Sequence, residues 1–335
     1  MLKRIISFVF ALMASLALLV FVACDSKENS DEVTLVAIDG SEVGIADVDY
    51  FVVPEPAAST KVNVIQSLNF VGDLQSIYGG ENGYPQAVVV AKNELLNYSI
   101  VGEFLEKLES NSAWLLNENT SSATIVNAVR SHLPSGTTPM FTENNLTKKV
   151  IQNCSIDLVS ATDSKTEIEE FMQKINEVSG GSFGTPQSDF FHNGEFPKEE
   201  YSGKIKVYAP DGAPALGIAN LLSGEETLKN DAEYHVVNAT TIQTFVAGNN
   251  AQADICILPV NLAVKVLGSG AKYKLVGTLT HGNLFLLANG EGEITKDNLN
   301  SLKGKKVGVV NLAAVPGLTF KIILNAHGIK YTELI

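Results

Sequence analysis

Short apolar runs, each closed by a proline or a small-residue turn, alternate along this chain with stretches whose apolar residues return every three or four positions. The run VDYFVVPEPAA at 48–58 matches ADICILPVNLA at 253–263. Each is an apolar segment short enough for a buried strand, closed by a proline that cannot donate to a ladder and followed by helix-forming residues. A second pair is KVYAPDGAPAL at 206–216 and GVVNLAAVPGL at 308–318. In both, a strand runs into a Pro/Gly/Ala turn whose last proline, Pro214 or Pro316, suits the first turn of a helix. Helical spacing then continues through Leu216, Ile218, Ala219 and Leu222, and through Leu318, Phe320, Ile322 and Ile323.

Strands alternating with helices predict an α/β protein of two lobes, each with a mixed, mainly parallel sheet and helices on both faces, with ligands at the carboxyl ends of the strands. Two long apolar segments, 84–91 and 273–288, have no repeat partner and read as strands crossing between lobes. Residues 94–172 are mostly helical in pattern, and 180–203, rich in Gly, Pro and polar residues, read as a linker. The resulting division puts lobe two at 33–83 and 292–335 and lobe one at 84–291, with the linker proper at 194–203.

The amino terminus has a different pattern. Lys3 and Arg4 precede an apolar run of about 19 residues that ends in Phe21-Val22-Ala23-Cys24, a signal peptide (1–23) in which a small residue precedes a cysteine. It resembles a bacterial lipobox, which implies diacylglyceryl attachment at Cys24, with Phe21 where Leu is usual. The apolar length alone also permits an uncleaved anchor; both readings put the body outside the cytoplasm. Residues 24–32 are polar and read as a tether of at most about 30 Å. Removing Lys3 and Arg4 takes the formal charge from −13 to −15. With Arg4 and Arg130 the only arginines, the chain has no nucleic-acid footprint. Hydrophobic residues at 45% exclude a disordered chain. Cys154 and Cys256 give no disulfide framework, Cys256 reads as packing in a buried strand, and no CxxC, HExxH or Cys/His cluster starts a metal site.

Five segments together carry a resemblance: KVYAPDGAPAL (206–216), ADICILP (253–259), KYKLVGTLTHGNLFLL (272–287), LKGKKVGVVNLAAVPGLTF (302–320) and DYFVVPEPAA (49–58). With the stretch at 183–191 and the lipobox, they resemble the solute-binding lipoproteins of ABC importers, in the group that includes sulfonate, nitrate and thiamine-pyrimidine binding proteins. The resemblance implies a type 2 periplasmic-binding-protein-like fold with an interlobe cleft, no cofactor, a small-molecule ligand, a permease and ATPase as partners, lipid attachment to the extracytoplasmic face of a membrane, and a monomer. The order is rotated, however, because the family's first strand looks like the one that begins only at Lys204. A circular permutation accounts for this, with 194–203 joining the old termini, and it expects Val33 and Tyr331 to be neighbours in one lobe; a rearranged gene is the alternative. One interval also departs: the eight residues SEVGIADV between Gly40 and Asp49 barely hold a crossover helix.

In such a cleft, helix starts at Asp211-Gly212-Ala213 and at Leu312-Ala313-Ala314-Val315 present backbone N–H groups, with small residues allowing close approach. They are otherwise ordinary strand-helix turns. Glu55, flanked by Pro54 and Pro56, is the leading polar candidate; it and Asp211 accept from a ligand amino group, cap a helix or face solvent. His281 and Asn283 lie on a crossing segment, and Asn238, Thr240 and Asn261 follow strand ends. Without an arginine fork in the motifs, the set leans towards a neutral or amino-bearing molecule such as a pyrimidine-like heterocycle, although backbone amides alone hold a sulfonate or nitrate. The competing classes are an enzyme on the same fold, of pyrimidine-synthesis or menaquinone-pathway type, and a surface lipoprotein without ligand. No metal constellation or Cys/His pair in matching positions supports the first.

Overall fold

The computed structural model describes residues 31–334 apart from 81, 82, 250 and 291. The signal peptide 1–23, Cys24 and residues 24–30 of the tether lie outside the described residues. Twelve strands form two six-stranded sheets, one per lobe.

The sheet of lobe two has the order β12-β1-β11-β2-β10-β3. It is built from β1 (Glu32–Ile38), β2 (Tyr50–Pro54), β3 (Leu68–Asp73), β10 (Leu284–Asn289), β11 (Lys306–Val310) and β12 (Lys330–Leu334). Only β10 runs against the rest. The sheet of lobe one, β5-β9-β4-β8-β6-β7, uses β4 (Pro85–Lys92), β5 (Ile156–Ser160), β6 (Ile205–Pro210), β7 (Ala232–Val237), β8 (Ile255–Pro259) and β9 (Tyr273–His281). Here β4 and β5 oppose the other four strands.

Alternation along the strands shows how both sheet faces are covered. In β2, Val52 joins the cluster that includes Phe320 and Ile323, whereas Phe51 and Val53 join a second cluster with Ala58 and Val43. The first face carries α10 (Val315–Ala326), and the second carries α1 (Ala57–Val64). In β4, Val88 and Val90 face the side of Ile168 and Phe171, while Ala87, Val89 and Ala91 face the side of Phe104 and Ile125. Those sides belong respectively to α6 (Ala161–Ser179), beside α9 (Val260–Leu267), and to α3 (Ile100–Leu116) with α4 (Ser122–Arg130) and α8 (Ala219–Ser223). Val88, Val89 and Val90 are fully buried, each stabilising the fold by about 1.5–3 kcal/mol relative to exposure.

Among the described residues three further short α-helices complete the set: α2 (Leu74–Tyr78), α5 (Lys148–Asn153) and α7 (Ala213–Leu216). The apolar segment 273–288 is broken into β9 in one sheet and β10 in the other. The break falls at Gly282, where a Cβ would stand 2.6 Å from side-chain atoms of both Gln75 and Tyr84. The second passage between lobes runs through α2 into β4.

No helix forms between β1 and β2. The chain passes there through turns pinned by Asp39, whose Oδ1 accepts from the Ser41 N–H at 2.6 Å, and buries Val43 against the sheet in place of a helix. The linker at 194–203 has no regular structure, and just before it Phe190 and Phe191 are buried against lobe one. Val33 stands in register with Tyr331, on parallel neighbouring strands. Among the described residues no helix is long and apolar enough to cross a membrane.

Candidate functional site

The strand-proline-helix repeats converge. The carboxyl ends of β2, β6, β8 and β11 and the helix starts that follow them line one cavity of about 230 Å³ between the lobes. Lobe two contributes Pro54, Glu55, Pro56, Asn311 and Ala314 to Pro316; lobe one contributes Pro210 to Pro214, Ala239, Thr240, Pro259 and Leu262. Gln86 and Ala87, at the start of β4, and Asn283, at the interlobe crossing, complete it with Met140. The volume lies below the about 300 Å³ at which pockets for drug-sized ligands begin.

Of the candidates read from sequence, Glu55, Asp211, Gly212, Ala213, Thr240, Asn283, Ala314 and Val315 line this cavity. Asn238, Asn261, His281 and Ala313 do not. Asn238 is exposed, and its Oδ1 accepts from the backbone N–H and the hydroxyl of Thr240, forming the turn that places Thr240 on the rim. Ala313 is exposed on the turn before α10. Asn261 is fully buried in the first turn of α9, with neither amide atom hydrogen-bonded. His281 lines a separate interlobe cavity of about 470 Å³ with Gln75, Gln152, Ser155 and Asp157. Burial lowers the pKa of His281, Asp157 opposes that shift, and its Nε2 has no partner.

The two cleft carboxylates are already engaged. Glu55 is buried, and its Oε2 accepts from the Ser59 N–H at 3.0 Å. Its Oε1 accepts from the Ser59 hydroxyl at 2.6 Å and from Asn153 Nδ2 at 3.3 Å. It thereby occupies one amino-terminal donor of α1, the Ser59 N–H, and ties lobe two to α5 of lobe one. Asp211 Oδ1 accepts from the Gly212 N–H at 2.8 Å, and Oδ2 accepts from the Met140 N–H at 2.9 Å, which anchors the loop carrying Met140 over the cavity. Burial raises the Asp211 pKa, and these two N–H groups counter the rise.

Asn283 stands at the crossing and extends the β2–β10 pairing: Glu55 N–H donates to its backbone carbonyl at 2.9 Å, and Asn283 Nδ2 donates to the Glu55 carbonyl at 3.1 Å. That carbonyl can only accept, so the amide orientation is fixed and Oδ1 is left as a buried acceptor without a partner. Gln86 Oε1 is likewise buried and unpartnered.

Sequence reasoning missed Gln86, Asn311 and Met140. Asn311 had a signal, since it directly follows β11 at the start of the small-residue turn, where it adopts φ 59°. Gln86 is the lone polar residue at the head of an apolar run. Met140 carried no signal, because its place depends on a contact with a residue 71 positions away. Among the described residues, no group of three or more His, Cys, Asp or Glu side chains could hold a metal ion.

No protein-family model matches the chain, and no curated protein does. Among solved structures, the oligopeptide-binding protein AppA from Bacillus subtilis, in complex with a nonapeptide, is similar over 79% of this chain at 11% identity and a TM-score of 0.26. This chain covers 57% of that protein. The two-lobed α/β architecture is carried by the strand order and pairing described above.

Proposed function

We propose that the chain is a lipid-anchored extracytoplasmic solute-binding protein that closes its lobes around a small molecule and delivers it to the permease and ATPase of an ABC importer. The observation that carries this reading is the convergence of four strand ends, two from each lobe, on one cavity with Asn283 at the crossing. The two interlobe passages serve as the hinge, in the manner of two-lobed receptors that close around ligand. The protein acts as a monomer attached through Cys24. Calorimetric titration with small solutes, paired with small-angle scattering, tests the receptor role: saturable binding with a fall in radius of gyration supports it, whereas turnover of the bound compound refutes it. Loss of membrane retention and of fatty-acid labelling in Cys24→Ser tests the anchor.

Within that group we read the chain as circularly permuted, supported by the register of Val33 with Tyr331. Because β1 and β12 are parallel, joining them in the opposite order needs a crossover of about a dozen residues. A chain running from 204 to 334, through such a crossover, and from 32 to 193 is expected to fold with an unchanged circular dichroism spectrum; failure to fold counts against the permutation.

A further inference from the structure

The polar inventory of the cleft points to a kind of ligand. Six of the chain's 11 prolines line it: Pro54, Pro56, Pro210, Pro214, Pro259 and Pro316. Proline has no N–H, so it offers a carbonyl acceptor and nothing else. Their positions matter further, because Pro56 and Pro259 are the N-caps of α1 and α9, and Pro214 and Pro316 sit in the first turns of α7 and α10. Each removes a backbone donor from a helix start, where an oxyanion would otherwise be held. At α1 the Ser59 N–H is occupied by the Glu55 carboxylate. No Lys, Arg or His lines the cavity, while Glu55 and Asp211 do. An anion entering there meets two carboxylates and no cation.

What the cleft lacks is a cation, and what it leaves unmet includes two buried amide acceptors. Asn283 Oδ1 is buried with its orientation fixed, and it has no partner. The Gln86 side chain also makes no hydrogen bond with a described residue, and its Oε1 is buried. A buried amide oxygen without a partner is unfavourable, and a bound N–H recovers the loss. Between these acceptors the walls are Pro, Ala, Val and the Met140 thioether, stiff apolar surfaces suited to the faces of a ring.

We propose that the cleft selects a small, non-anionic molecule that donates N–H groups from an amide-like or amino-substituted ring, received by Asn283 Oδ1 and Gln86 Oε1, and that it rejects sulfonates and nitrate. This rests on the receptor reading above and narrows it.

The test is calorimetric titration of the full chain with two sets of probes: cytosine, uracil, nicotinamide and 2-imidazolidinone against nitrate, methanesulfonate and acetate. The expected result is saturable binding of at least one member of the first set and of none of the second. Gln86→Met is expected to weaken that binding about three- to tenfold. Thr240→Trp, which fills the cavity from an exposed rim position, is expected to abolish it with the near-ultraviolet circular dichroism of the fold retained. Saturable anion binding that Thr240→Trp removes would overturn the ligand class and leave the receptor standing. Binding by neither set, with no change in scattering, would overturn both.

Discussion

Glu55 gives the sharpest test of whether a cleft carboxylate serves the ligand or the fold. Replacing it with alanine removes the acceptor for the Ser59 N–H, the Ser59 hydroxyl and Asn153 Nδ2. Losing a side-chain acceptor at a helix amino terminus costs about 0.5–2 kcal/mol. Leaving the Ser59 hydroxyl, in a residue only 8% exposed, without its partner adds about 1–3 kcal/mol. The total is about 1.5–5 kcal/mol, or a fall of about 2–8 °C in Tm at about 2.1 cal/mol/K of unfolding entropy per residue. Glu55→Gln keeps an oxygen acceptor but loses the negative charge at the start of α1, a smaller cost of about 0.5–1 kcal/mol. Thermal denaturation of both variants, with hydrogen exchange at the Ser59 amide, reads the effect directly. The order wild type, Glu55→Gln, Glu55→Ala in stability is expected, with exchange accelerated in α1. An alanine variant that melts within 1 °C of wild type, yet binds ligand more than about 100-fold more weakly, would show that the carboxylate belongs to the ligand.

Three further outcomes follow from the same structure. Gly317→Ala places a Cβ 2.0 Å from the Leu312 carbonyl oxygen, a backbone atom that cannot swing aside, so it is expected to destabilise by about 1–3 kcal/mol or more in a urea titration; an unchanged midpoint would refute the close packing of the turn before α10. Because burial lowers the pKa of His281 below its ordinary 6.5, the unfolded state takes up its proton first as pH falls, and stability drops below that value. His192 and His235 shift in the same direction, so His281→Gln is expected to flatten the loss between pH 7 and 5 without abolishing it; a slope identical to wild type would count against a buried neutral His281. Burial also pushes the thiols of Cys154 and Cys256 upward, so native protein is expected to resist iodoacetamide at both and to label only on unfolding; rapid labelling at pH 7 would contradict their burial.

How much of this was legible depended on whether the controlling interaction was local. A proline closing a short apolar run marks where the ladder ends, and so Pro54 and Pro259 located the cleft-facing ends of β2 and β8 from sequence. The interval between Gly40 and Asp49 was too short for a helix, and the chain turns there instead. By contrast, the run 273–288 has an unbroken apolar pattern, and only the approach of Gln75 and Tyr84 to Gly282 divides it. That division sends His281 and Asn283, two residues apart, to different cavities. Glu55 is recognisable in sequence as a polar residue at a strand end, but only its hydrogen bonds to Ser59 and Asn153 separate a helix cap from a ligand contact. Composition could not see that the prolines gather around one cavity, because six scattered positions become a single lining only when both sheets are assembled.

The arrangement of the sheets also dictates a schedule for synthesis. Strands β4 to β9 are contiguous in the chain, so the sheet they form is complete as soon as His281 has been made. The other sheet cannot close then: β1, β2 and β3 emerge first, yet not one of them pairs with another. Their partners β10, β11 and β12 are translated about two hundred residues later, a wait of about 10–40 s at ribosomal rates of about 5–20 residues per second. Throughout that interval Val33, Leu35, Phe51 and Val52, all buried in the finished protein, are without their sheet. The nascent chain therefore carries a sticky, unpaired leading segment ahead of a completed body, the kind of intermediate that chaperones shield until the last strands arrive.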